Sequence, residues 1–479
     1  MKNKPNYCFL IISFFILSLL TVSCQQNPAT GESEFNLMSE KEEDDVGRSE
    51  HNKIIKQFGG QYEDEKLNNY ITSIGKFLVS TSELPNKKFT FTILNTPIVN
   101  AFALPGGYIY ITRGLIYLCQ NEAQLAGVIA HEIGHITARH TAKRYTKTVG
   151  TGIFLQVLNI FSQNTFVNNL LGQSAQLFLL SYSRSQEHQA DKLAVRYMTR
   201  AGFDAKQMAN FLKLMEKHAN LQKKILNIND KVSELLKTHP NSSKRVEQVV
   251  NSYKGKVPLN PIVGKDIFLK KIDGILYGHK KEEGFFIGNN FVHIPLGIRF
   301  EFSDQFYFIN QPNALIGRSK DNARIIFDLD ETDEINNQNY VSQWLSSSQN
   351  KIINYQSFSN KNFNISTGKL VKKKEKIYFA TLRDDSSITF RFVLITDNEN
   401  KEKEFMDMVK SLKKIDQNDS YKITPPKIII TSASSDTKFF EETVKKSNLQ
   451  KMFATDIHKS LNNLDNNQIM AGEKVKTIY

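Results

Sequence analysis

Two histidines four residues apart, with a glutamate directly after the first, stand at His131, Glu132 and His135. They lie in the run Ala123 to His140, AQLAGVIAHEIGHITARH. Apolar residues at Leu125, Val128, Ile129, Ile133 and Ile136 recur at helical spacing, and no proline interrupts them. On a helix, side chains four apart stand one turn above each other on one face. Two imidazoles so placed can reach a single Zn²⁺, and the glutamate beside them can serve as general base toward a water molecule. The competing reading is an amphipathic helix with two surface histidines. The neighbours are Ala, Ile, Val and Gly, among which unpartnered imidazoles would be costly to bury, and this favours a metal.

Three protein ligands would leave a fourth position open for chemistry. A third histidine ten residues after the first would serve, but that position is Thr141; His140 is one step off and reads as a helix-end or packing residue. A better source is SRSQEHQAD, Ser183 to Asp191, which runs helically into Leu193-Ala194-Val195. Glu187 and Asp191 share a face there. Glu187 can ligate the metal, and Asp191 can accept the free N–H of His131 or His135 and orient that ring. His188 points to another face and is the lesser ligand candidate. The expectation is one Zn²⁺ per chain.

Four blocks in order carry a family resemblance over roughly residues 35–253: NAFALPGG from Asn100 to Gly107, HEIGH from His131, SRSQEHQAD from Ser183, and Thr238-His239-Pro240 followed by Arg245. In these the chain resembles gluzincin metallopeptidases of the HtpX/BepA/CAAX-prenyl-protease type. The resemblance implies a zinc endopeptidase with His131, His135 and Glu187 as ligands and Glu132 as catalytic base, acting on misfolded or unassembled envelope proteins. With no multi-span hydrophobic pattern, the chain is similar to the soluble, envelope-facing branch, although it lacks the tetratricopeptide repeats of some members. The fourth block gives His239 a role in the cleft, as fourth ligand, plug or hydrogen-bond donor in the transition state. Arg245 either binds a carboxylate or, as we prefer, braces the loops.

FTFTIL (Phe89 to Leu94) and YIYIT (Tyr108 to Thr112) alternate as strands, with Pro105-Gly106-Gly107 as a turn. They read as a hairpin ahead of the metal helix. An exposed edge at Asn100, Ala101, Phe102 and Ala103 would bind an extended peptide by strand addition; the alternative is an ordinary structural hairpin. Residues 147–182 are rich in apolar groups, but no stretch reaches spanning length, so buried helices or a cleft lining are expected.

At the N-terminus, Lys2 and Lys4 precede an apolar run from Phe9 to Val22, the pattern of a secretory signal peptide over residues 1–23. Leu20-Thr21-Val22-Ser23-Cys24 resembles a bacterial lipobox, with Thr21 where Leu is usual. Cys24 is thus the expected lipidation site and residues 24–34 a polar tether. Gln25 in place of Asp implies, by the same resemblance, a periplasm-facing lipoprotein of the outer membrane. Cys119 is the only other thiol besides Cys8, which excludes a disulfide framework in the mature chain.

The 479 residues are 40% hydrophobic and 23% charged, which excludes wholesale disorder and leaves room for several domains. The net charge of +13 comes from scattered lysines without a dense basic helix or nucleic-acid motif, so no nucleic-acid partner is expected. After a boundary at Pro258 to Pro261, residues 260–415 alternate as strands and end in a helix from Glu402 to Leu412, an α+β accessory domain. Asp273-Gly274-Ile275-Leu276-Tyr277-Gly278 resembles the linker before such a domain in some family members. Residues 423–479 resemble a LysM-like βααβ module, which would imply contact with peptidoglycan. The fold class is therefore α+β multidomain: a mainly helical zincin-like metallopeptidase domain (35–253) with a small sheet, the accessory domain, and the LysM-like unit. The leading reading is a metalloendopeptidase of envelope proteins. Its rivals are an envelope assembly factor or chaperone with latent protease activity, and a wall-binding lipoprotein.

Overall fold

The computed structural model describes residues 25–34, 36, 38–150, 181–226, 239, 243–253, 255, 257–332, 336–346, 352–372, 375–384, 386–434 and 439–479. The signal peptide, Cys24, most of the apolar stretch 147–182, Thr238, Pro240 and the side chain of Arg245 lie outside the described positions.

The chain opens with a two-residue hairpin, β1 (Gln25–Gln26) paired with β2 (Ser33–Glu34). Helices α1 (Glu40–Gln57) and α2 (Glu65–Ser80) follow, begun by the side-chain caps Ser39 and Asp64. Next come β3 (Thr90–Leu94), β4 (Ala101–Leu104) and β5 (Tyr108–Thr112) in the spatial order β3-β5-β4. The alternating runs at 89–94 and 108–112 are parallel neighbours rather than a hairpin. The hairpin is β4–β5, closed by Pro105-Gly106-Gly107, where Gly106 and Gly107 take φ of 76° and 89°. Alternation marks strands but does not name their partners, so the pairing had to come from the fold.

A short helix α3 (Arg113–Leu118) leads to α4 (Glu122–Thr137), α5 (His140–Gly150), α6 (Arg184–Arg200), α7 (Lys206–Leu226), α8 (Ser243–Ser252) and α9 (Lys265–Ile272). Phe268, Leu269, Ile272 and Ile275 join the same apolar core as α2, α4, α6 and α7. The boundary read at Pro258–Pro261 therefore precedes the end of this core. Ile262 N–H donates to Gly202 O and Asp204 N–H to Ile262 O across it, and Ala123 N–H donates to Val263 O.

The accessory domain holds two sheets. The smaller contains β6 (Phe285–Ile287), β7 (Asn290–His293), β8 (Ile298–Glu301) and β16 (Lys413–Lys414), in the order β16-β8-β7-β6. The larger is antiparallel, ordered β12-β13-β14-β15-β11-β10-β9. Its strands are β9 (Phe306–Gln311), β10 (Ala314–Ser319), β11 (Arg324–Glu331), β12 (Ile352–Ser359), β13 (Asn364–Lys372), β14 (Glu375–Arg383) and β15 (Ile388–Thr396). Helices α10 (Asn337–Trp344) and α11 (Lys401–Ser411) accompany them.

The final stretch is β17 (Ile428–Ser432), α12 (Phe439–Lys446), α13 (Ala454–Asn462) and β18 (Lys474–Ile478), with β17 and β18 antiparallel. The order is βααβ, but the unit does not stand apart. Ile428, Leu449, Ala454, Leu461 and Ile478 belong to the core of the first domain. Two buried cations bolt the parts together. Arg113 donates to Leu276 O (2.6 Å) and Gly278 O (3.0 Å), and Lys476 donates to Tyr117 O, Cys119 O and Leu461 O.

The segment expected to be a loose tether is also docked. Asn27 donates from its side chain to Thr137 O at 3.0 Å, Ala29 is buried, and Arg196 donates to Ala29 O. The polar composition of residues 25–34 serves turn bonds, Ala29 N–H and Thr30 N–H donating to Asn27 Oδ1, rather than solvation alone.

Candidate metal centre

Asn121 starts α4 by accepting the Gln124 N–H on its side chain, which sets the phase of the helix. His131, Glu132 and His135 emerge about three and four turns later, all buried. The helix α6 that crosses α4 begins with a capping box: Ser183 Oγ accepts from Gln186 N–H, and Gln186 Oε1 accepts from Ser183 N–H. This fixes Glu187 in the first turn and Asp191 one turn on. The crossing is close because Gly134 has no side chain; a Cβ there would meet Ala190 O at 3.1 Å.

His131, His135, Glu187 and His239 offer ligand atoms all within 4.8 Å of one another. His131 Nε2 lies 3.0 Å from His135 Nε2 and 3.3 Å from His239 Nδ1. The Glu187 carboxylate is 3.0 Å from His239 Nδ1, 3.4 Å from His135 Nε2 and 3.5 Å from His131 Nε2. Ligand bonds of ~2.0–2.1 Å about a tetrahedral Zn²⁺ require donors roughly 3.3–3.4 Å apart, and these separations fit that figure. Two imidazole nitrogens and a carboxylate buried facing one another call for a shared cation. The residues therefore suit a metal ion.

Each ligand is oriented from behind. Of the two open possibilities for Asp191, the structure selects His131, whose Nδ1 is 3.0 Å from Asp191 Oδ1. His135 is held instead by His140, at 2.8 Å between their Nδ1 atoms, and His140 Nε2 is 2.8 Å from Gln189 Oε1. Burial pushes His140 down to about 3, which keeps it neutral and able to accept from His135. His140 was read as a helix-end or packing residue. It reaches His135 because Arg139 adopts φ of 51° and turns the chain back after α4, held there by Glu43 and the Met38 carbonyl. Tyr182 stacks on His135 with ring centroids 3.8 Å apart; apart from its place beside Ser183, nothing in the sequence announced it.

Glu132 is buried with Oε1 3.6 Å from His239 Nε2, while its Oε2 has no hydrogen-bond partner. Burial raises its pKa, which makes the carboxylate a better proton acceptor. Burial opposes the charged form of His131 as well, but Asp191 and Glu187 overcome it and lift that imidazole to about 10. Burial alone would also raise Glu187; His239, His131 and His135 hold it well below the carboxylate range. His188 lies outside the group of four.

Ala101 to Ala103 lie on β4, with Asn100 just before it, at the margin of the sheet opposite β3; this strand packs against the helix α4. Thr112 N–H donates to Asn100 O, so Phe102 and Leu104 bond to β5 in the same phase. Ala101 and Ala103 then direct their main-chain groups away from β5, but Asn100, Ala101, Phe102 and Ala103 are all buried, so the edge expected to be exposed is covered in this structure. No helix among the described residues is long and apolar enough to cross a membrane.

Residues 65–252 match the model of peptidase family M48. Over 197 residues the chain is 31% identical to the β-barrel assembly-enhancing protease of Yersinia pestis, covering 39% of each chain. It is 26% identical over 228 residues to the mitochondrial metalloendopeptidase OMA1 of Schizosaccharomyces pombe, covering 46% of this chain and 64% of that one. To the Arabidopsis thaliana protein of the same name it is 33% identical over 166 residues, covering 35% of this chain and 32% of the other. The chain thus spans well under half of the Yersinia relative and less than two thirds of the Schizosaccharomyces one.

Proposed function

We propose that this chain, whose residues 65–252 are a peptidase family M48 domain, is a zinc-dependent metalloendopeptidase that hydrolyses peptide bonds of cell-envelope proteins. The observation that carries the reading is the convergence of His131, His135, Glu187 and His239 on one point, with the Glu132 carboxylate beside it. His131, His135 and Glu187 hold one Zn²⁺. When bound, the ion supplies Lewis acidity, polarising the scissile carbonyl and acidifying the attacking water. Glu132 takes the proton from that water and returns it to the leaving amine nitrogen. Asp191 and His140 fix the tautomers of His131 and His135, so that each Nε2 lone pair faces the metal. Ala101 and Ala103, which turn main-chain groups away from β5 but are buried, bind the substrate main chain as an added strand only once their cover is displaced, with Asn100 and Phe102 shaping that edge.

His239 fills the place a substrate or water would take. We read it as a latch: with four protein donors the centre is closed, and displacing His239 frees the centre for catalysis. This supports a resting, latent peptidase. Arg245 is assigned to bracing the loop that carries His239. The relatives named for β-barrel assembly enhancement support envelope proteins as substrates. The Cys24 pattern supports an outer-membrane lipid anchor, and the βααβ order of 423–479 supports, more weakly, a contact with peptidoglycan.

The test is metal analysis of the purified chain together with casein cleavage. One zinc per chain, cleavage raised in His239→Ala and lost in Glu132→Gln, are expected. Absence of stoichiometric zinc would reject the reading. If Glu132→Gln rescues a deletion strain as well as the parent does, the assembly-factor alternative takes its place.

A further inference from the structure

Sheet edges are exposed rows of unpaired main-chain groups, and folded proteins cover, shorten or charge them. Most edges of this chain follow that rule. On the large accessory sheet the β9 edge is sealed by Gln450, whose amide side chain accepts from Phe308 N–H at 2.7 Å and donates to Phe308 O at 2.8 Å. The small sheet ends in β16, two lysines, and in β6, three residues long. Strand β17 exchanges main-chain bonds with Gly274 and Ile275, and β18 with Asn448. Strand β3 is met by Tyr62.

Strand β12 is different. It terminates the seven-stranded sheet, and among the described residues it pairs only with β13. Its sequence, IINYQSFS, has no charge and no proline over eight residues. Phe358 is 36% exposed, an apolar surface beside the open edge. The hydrogen-bond phase can be read from the turn that follows. Asn360 N–H donates to Phe363 O, so Phe358 and Gln356 bond to β13, while Ser357 and Ser359 turn N–H and C=O outward.

We propose that the β12 edge captures an uncharged, extended polypeptide segment by strand addition. The segment aligns on Ser357 and Ser359 and covers Phe358. In taking that segment to be part of the peptidase's own substrate, the proposal rests on the function proposed above; the binding itself does not. A second copy of the chain fits the edge less well. The register breaks between Ile353 and Gln356, with Asn354 at φ of 53°, so the regular outward edge is only Gln356 to Ser359. Four paired residues per copy fall far short of the roughly 1,200 Å² that a stable interface buries. A client bound only transiently, and released after cleavage, needs no such area.

The probe is an eight-residue peptide of alternating threonine and valine with an N-terminal fluorophore, titrated by anisotropy with the full chain carrying Glu132→Gln. Binding is expected, at least ten-fold weaker in Ser357→Pro, which deletes an outward N–H not used by β13. Ser357→Lys, a gentler change for folding, should weaken it similarly, as should N-methylation of alternate peptide residues. Unchanged binding in both Ser357 variants would place the peptide elsewhere, at β4 for instance, and overturn the proposal. So would no binding to the parent, or a Ser357-dependent dimer in sedimentation. Failure of the peptidase reading would look different: no casein cleavage by the parent or its His239→Ala form, with peptide binding intact.

Discussion

Replacing Lys476 by methionine should flatten the rise of stability with pH. Lys476 is 1% exposed on β18, and its ammonium group reaches Tyr117 O (2.9 Å), Cys119 O (2.5 Å) and Leu461 O (3.2 Å). The first two carbonyls close the C-terminal end of α3, a favourable place for a cation. Burial nevertheless dominates and pushes the amine down to about 7 from an ordinary 10.5. Between those values the unfolded chain binds one proton more at this site than the folded chain, so stability increases with pH through the window and is flat below about 7. Each pH step contributes about 1.4 kcal/mol, and roughly 5 kcal/mol accumulates across the whole window. Methionine keeps much of the apolar stem and removes the titration. Urea unfolding of both chains at pH 7, 8 and 9 isolates the effect, because the other ionisations cancel in the difference. The parent should gain roughly 2 kcal/mol on Lys476→Met between pH 7 and 9. Parallel pH profiles would refute the reasoning: they would mean that three carbonyls and the helix end hold the proton on Lys476 against desolvation.

Adding Zn²⁺ to the chelator-stripped chain at a hundred times its Kd should stabilise it by about 2.7 kcal/mol, a rise in Tm of roughly 5–10 °C for a domain of this size. His131→Ala should show no such rise in a thermal melt. Asp191→Asn, which weakens the hold on His131 Nδ1, should lower zinc affinity ten- to a hundred-fold in a chelator competition while circular dichroism stays unchanged. Gly134→Val should cut kcat/KM by more than ten-fold and Gly134→Ala by less, since a Cβ at 3.1 Å from Ala190 O must push apart the helices carrying His135 and Glu187. Equal activity in both glycine variants would show that the crossing has slack.

The candidate ligands could be singled out because four-residue spacing on a helix is a geometric statement, and the structure brings His131, His135 and Glu187 together. What the ligands lean on could not. Choosing His131 over His135 for Asp191 depends on how α6 crosses α4, and spacing within either helix is silent on that. His140 does stand buried at a helix end, but its contact with His135 was not legible, because it depends on a left-handed Arg139 and arginine gives no local signal for positive φ. Strands were legible by alternation, but alternation does not distinguish the parallel β3–β5 pair from a hairpin. The same limit applied to domain boundaries. Prolines at 258 and 261 punctuate the chain, yet an apolar residue does not declare which core it will join. Ile428, Leu449, Leu461 and Ile478 joined the first one, some two hundred residues beyond the family match. Lysines read as a scattered solvated surface included Lys476, fully buried against α3. The core around the candidate metal centre is therefore not carried by the family-matched stretch alone. Cutting the chain at residue 253 would remove the carbonyl partners of Arg113 at Leu276 and Gly278 and strip the apolar cover from α3 and α7. It would leave the buried Arg113 with Asn95 Oδ1 but without its two carbonyl acceptors, a costly change in a fold of marginal stability.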